Sequence, residues 1–174
     1  MKLKIFLSTL QRFNISTFCL AAILVAPLLH AAEFSSVVAP APDFQWRQGN
    51  NINHLSSLRG KPVLLLVTDS PLNHAFRHQL SELKGHYERF AAHGLICVVA
   101  FTQEEGAVPS NIPFITLLNG AATAKAYGIQ NNFGLALLGA DGNLDCLSSR
   151  PLSGQRIDDF MDASYTTQEA LRKP

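Results

Sequence analysis

The chain has 174 residues, 14 Lys+Arg against 13 Asp+Glu, and a hydrophobic share of 47%. That length holds one domain with room for a short leading segment, and that apolar share excludes a disordered chain. The near-balanced charge excludes the basic footprint of a nucleic-acid binder and a polybasic membrane patch.

Residues 1–31 read as an export signal. Lys2, Lys4 and Arg12 make a basic lead, Phe18 to Leu29 an apolar stretch, and Ala31 and Ala32 a small-residue cleavage region. The alternative is an uncleaved anchor, because Ile15 to Ala32 approaches the length that crosses a bilayer. Ser16, Thr17, Pro27 and His30 interrupt that span. Membrane contact, if the segment stays, would run through it alone. Cys19 lacks the Leu-x-(Gly/Ala)-Cys context of a lipoprotein. Loss of Lys2, Lys4 and Arg12 with the signal would leave 11 basic and 13 acidic side chains, a net charge of −2. An exported, periplasmic or extracellular, location follows.

Residues 32–42 are small and Pro-bearing and read as a linker. Residues 43–163 form the folded domain, and residues 164–174 read as a flexible tail. Gln48 to Asn53 reads as a turn. Val63 to Val67 is an apolar run that suits a fully buried strand. It breaks at Thr68-Asp69-Ser70-Pro71. Phe76, Leu80, Leu83, Tyr87 and Phe90 then recur at helical spacing, predicting a helix to about Ala92 that Gly94 stops. Ser70 or Asp69 would cap its start. Gly85 inside it predicts a kink or early break. Leu95 to Phe101 is a second apolar strand. Thr102 to Asn111 is a polar loop, and Ile112 to Leu118 a third strand. Ala121 to Tyr127 is a short helical turn. Leu135–Leu138 and Leu144–Leu147 flank Asp141-Gly142, a hairpin signal. Ile157, Phe160 and Met161 mark a last helix over 154–163, with Ser153 as its N-cap. The order predicts an α/β fold with helices on both faces of a sheet.

Three places carry candidate chemistry. Cys97 lies in an apolar strand and reads as an inert core residue. Cys146 lies on the outer hairpin strand, where exposure is expected. His74 and His78 share a helix face, about 40° apart by helical periodicity. Two histidines of that spacing can bind Zn or Cu, but no third ligand is evident. No cofactor is called for.

Four segments then carry a resemblance. Ala41-Pro42-Asp43-Phe44, Leu55 to Leu65, Ala126-Tyr127-Gly128-Ile129 and Leu138 to Asn143 together resemble the thioredoxin-like superfamily, especially its exported peroxiredoxin-like and thiol-disulfide-oxidoreductase-like members. The resemblance implies a three-layer sandwich, with a mixed central sheet between helices. It places Cys97 and Cys146 on opposite sides of the central strand, too far apart for an internal disulfide. It also places an active site in the loop after the central strand. Catalytic members carry cysteine there, because the helix start stabilises a thiolate. Here Pro62 to Ile96 contains no cysteine. The family's cis-proline falls on Phe133, a residue for which a cis bond costs about 2.5–4 kcal/mol. The link Thr102–Asn111 is too short for the usual crossover helix. In these departures the chain is similar to a cysteine-poor thioredoxin-like family of unknown function.

The expectation is an exported binding or accessory module without dithiol redox chemistry, more a binder than an enzyme. Its partner would be an envelope protein or peptide, met at Thr68, Asp69, Ser70, Pro71, Asn73, His74 and Phe133. One alternative is a thiol-dependent oxidoreductase or peroxidase using Cys146 or Cys97. Another is a metal-binding protein using His74 and His78.

Overall fold

The computed structural model describes residues 34–35 and 39–163. The readings of residues 1–31 as a signal and 164–174 as a tail lie outside the described residues.

Strand β5 (Val63–Thr68) is buried along its whole length. Its side chains alternate between two apolar layers, as a strand's two-residue period requires. Leu64 and Leu66 pack with Phe76, Leu80 and Leu83 of helix α1 (His74–Ala92). Val63, Leu65 and Val67 pack on the other face with Trp46, Ala124 and Tyr127. A fully buried leucine contributes about 1.5–3 kcal/mol, so this strand anchors both layers.

The sheet grows outward from β5. Strand β6 (Ile96–Phe101) lies parallel on one side, and β7 (Phe114–Thr116) lies parallel to β6. Strand β8 (Phe133–Leu138) lies antiparallel on the other side and turns into β9 (Asn143–Ser148). Gly142 sits in that turn at φ 84°, a left-handed conformation suited to glycine. Residues 102–113 join β6 to β7 without a helix.

Helices α1 and α3 (Gly154–Ala163) cover one face. The other face carries α2 (Gly120–Ala126) and the hairpin of β3 (Gln45–Gln48) and β4 (Asn51–His54). Of the turn expected at 48–53 only Gly49 and Asn50 form the hairpin tip, with Gly49 at φ 62°, and Gln48 and Asn51 to Asn53 belong to the paired strands. Two short strands within the expected linker, β1 (Phe34–Ser35) and β2 (Ala39–Pro40), pair antiparallel with β9. They cover an edge whose backbone groups would otherwise be unpaired.

Two local expectations are corrected. Helix α1 runs unbroken through Gly85. Its cap is Asn73, whose side chain accepts from the Phe76 N–H at 3.1 Å, not Ser70 or Asp69. Ser153 does cap α3, accepting from the Arg156 N–H at 3.3 Å.

Candidate functional site

The loop between β5 and α1 is closed by hydrogen bonds on two sides. Towards β8, the Asp69 N–H donates to the Asn132 carbonyl at 3.1 Å. Asn73 Nδ2 donates to the same carbonyl at 3.2 Å and to Asp69 Oδ1 at 2.8 Å. Towards the β6–β7 loop, the Asp69 carbonyl accepts from the Gln103 and Glu104 N–H groups at 3.2 and 2.9 Å. Thr68 Oγ1 donates to the Ser70 carbonyl at 3.2 Å. Pro71 lies close against Gly106, where an added Cβ would come within 2.8 Å of the proline ring.

The candidates at this mouth separate into buried and exposed groups. Thr68 is fully buried, and Phe133, its register partner across β5 and β8, is buried with Phe76 and Phe101. Neither side chain is exposed at the surface of the mouth. A bulky ring at the start of a sheet-centre strand packs under α1 rather than at the rim. The described peptide bonds are all trans, the one before Phe133 included. Asp69, Ser70, Pro71 and Asn73 are half-buried and bound into the loop, and His74 is exposed. Leu72, at 76% exposure, is the most exposed large hydrophobic side chain of the described residues.

The two thiols lie elsewhere. Cys97 is in β6 under α1, and burial pushes its pKa up to about 12. Cys146 is fully buried, which corrects the expected exposure. Its side of β9 packs in the layer that holds Ile157 and Met161 of α3. Burial, opposed by Arg156 and reinforced by Asp145, moves its pKa up to about 11. The two strands are separated by β8 and β5. At about 4.8 Å per strand, that spacing is beyond disulfide reach, and both cysteines are free.

His78 Nε2 lies 3.7 Å from Glu82 Oε1. Glu82 Oε2 in turn accepts from the Gly154 N–H at the start of α3, at 3.2 Å. Among the described residues no three His, Cys, Asp or Glu side chains form a group fit for a metal. No helix of the described residues is long and apolar enough to cross a membrane.

Other polar groups escaped the sequence reading. Gln79 is fully buried and bridges Leu152: Nε2 donates to its carbonyl at 3.0 Å, and Oε1 accepts from its N–H at 2.7 Å. Arg89 Nε lies 2.7 Å from Oδ2 of the fully buried Asp158. A signal for both was present: Gln79 and Asp158 each stand beside apolar positions of an amphipathic helix. Two clefts of about 340 Å³ also open on the surface. One is flanked by Asp43, His54 and Arg59, the other by Arg77 and Lys84.

No family model matches this chain, and no curated protein matches it. Solved structures do. A putative thiol:disulfide interchange protein DsbE from Chlorobium tepidum is 16% identical with a TM-score of 0.60, covering 74% of this chain and 96% of its own. A DsbF homologue from Corynebacterium diphtheriae is 12% identical with a TM-score of 0.61, covering 75% and 92%. The reduced 2-Cys peroxiredoxin of Plasmodium vivax is 16% identical with a TM-score of 0.59, covering 78% and 99%. The fold is thioredoxin-like, a mixed sheet between helices.

Proposed function

We propose that this chain is an exported thioredoxin-fold protein that has given up dithiol chemistry and works as a binding or accessory module. The observation that carries the reading is the content of the β5–α1 loop. Where the chemistry of the fold needs a thiolate at a helix start, this chain has Thr68-Asp69-Ser70-Pro71-Leu72-Asn73. An asparagine occupies the helix cap, and its amide ties the loop to β8. Both described thiols are buried, with their pKa values raised well above neutrality. A thiol held protonated is a poor nucleophile.

The docking surface in this reading is the outer rim of the mouth, with Leu72 and His74 exposed there. A protein or peptide partner of the envelope fits that surface. Export, to periplasm or beyond the cell, rests on the layout of residues 1–31.

The test is turnover. The full chain is assayed for insulin-disulfide reduction and for peroxide consumption, with a dithiol reductant in excess. The expected rates equal the protein-free blank. Robust turnover that disappears in Cys146→Ser or Cys97→Ser would replace this reading with a one-cysteine enzyme.

A further inference from the structure

The outer side of helix α1 carries a row of polar residues at positions 77, 81 and 84. Counted from the buried Leu80, Arg77 lies at about 60°, Ser81 at about 100° and Lys84 at about 40° around the helix. They therefore stand together along one flank of the apolar stripe. The loop before β7 faces that flank, and Ser110 and Asn111 complete the walls of a cleft of about 340 Å³. Leu80, only 6% exposed, lies at its inner edge.

The charge in this cleft is of one sign. No acidic side chain lines it. Among the described residues neither Arg77 nor Lys84 takes part in an ion pair. Glu88, one turn beyond Lys84, is outside the lining and forms no ion pair with it. The other cleft of similar size differs here: Asp43 Oδ2 stands 2.9 Å from His54 Nδ1, so acid and base already answer one another.

The donors in the basic cleft are also unspent. Ser110 Oγ accepts from the Ile112 N–H at 3.1 Å, which leaves its own hydroxyl proton to donate. Ser81 supplies a second hydroxyl and Asn111 an amide. Arg77 and Lys84 stand about 10 Å apart along the helix axis, a span their long side chains close onto one small group. An arginine fork, a lysine and several neutral donors, with no carboxylate among them, match a tetrahedral oxyanion.

We propose that this cleft binds a phosphate group, free or as the ester of a small molecule. Arg77 and Lys84 supply the charge, and Ser81, Ser110 and Asn111 supply neutral hydrogen bonds. The site is separate from the β5–α1 mouth and does not depend on how that loop works.

The experiment follows the backbone amides of the full chain by NMR during titration with inorganic phosphate and, separately, with glucose 6-phosphate. Ionic strength is matched with chloride throughout. The expected result is saturable shifts at Arg77, Ser81, Lys84, Ser110 and Asn111. Tighter binding of the ester identifies a phosphorylated small molecule as the ligand, and equal or tighter binding of inorganic phosphate identifies the free ion. The double variant Arg77→Gln/Lys84→Gln, changed at two exposed positions, should bind about tenfold or more weakly, the loss expected for charge-assisted hydrogen bonds. Ser110→Ala should weaken binding to a smaller extent. Shifts that chloride reproduces, or an affinity unchanged in the double variant, would overturn the proposal.

Discussion

Asn73 and Asp69 lock the loop between β5 and α1: Asn73 Nδ2 donates to Asp69 Oδ1 at 2.8 Å, while Asn73 Oδ1 caps the helix through the Phe76 N–H at 3.1 Å. One amide thus holds a helix start and the loop before it. Asn73→Ala removes both roles and should cost about 1–3 kcal/mol, the sum of a cap and its added hydrogen bonds. Asn73→Ser keeps a capping oxygen and loses the tie, so it should fall between wild type and alanine. Urea denaturation of the three proteins gives the order.

Gln79 joins α1 to the segment before α3 through the two main-chain groups of Leu152. Gln79→Leu keeps the volume and strands both groups. A buried unmade hydrogen bond costs about 1–3 kcal/mol, so a loss near the upper end is expected. The check is a chemical melt with an unchanged denaturant slope, since the native contacts elsewhere remain.

Arg89 and Asp158 form a pair with one partner in solvent and the other fully buried. Arg89→Gln leaves the buried carboxylate without its counter-charge. Breaking a buried pair costs up to about 3–5 kcal/mol, and the exposure of Arg89 reduces this to about 1–3 kcal/mol. Asp158→Asn in the same chain should recover part of the loss. A double-mutant cycle measures the coupling.

Asp145 carries the pH dependence of the hairpin. Burial, with the charge of Asp141 beside it, pushes its pKa from 3.8 up to about 6. An acid that holds its proton more tightly when folded stabilises the fold below its ordinary pKa. That contribution is lost as pH rises from about 4 through about 6. Asp145→Asn removes the titration. The stability difference, variant minus wild type, should therefore increase between pH 4 and pH 6 and level off above it. The step will be smaller than the shift alone implies, because the side chain is only half-buried and solvent screens it.

The frame was legible because its signals are local. The run Val63 to Val67, the stripe Phe76–Leu80–Leu83 and the Asp141-Gly142 turn each announce an element without help from the rest of the chain. What was missed depends on packing. Asp69, Ser70 and Asn73 all precede α1, and Asn73 is the cap because it stands directly before His74, where its Oδ1 reaches the Phe76 N–H. Cys146 looks exposed on an alternating edge hairpin, yet α3 packs over that face. The linker reading of residues 32–42 missed β1 and β2, because two-residue strands carry no periodicity and follow from the free edge of β9. The basic cleft joins a helix flank to a loop 25 or more residues away in sequence, from Lys84 to Pro109.

The central claim, that the fold here works without a reactive thiol, is tested most directly by residue-resolved alkylation. The folded full chain is treated with iodoacetamide at neutral pH, and Cys97 and Cys146 are followed as separate peptides by mass spectrometry. Both should react about a thousandfold or more slowly than in the denatured chain, since a buried protonated thiol reacts only when the structure opens. Alkylation of either one in the folded chain at the rate of a free thiol would contradict the claim.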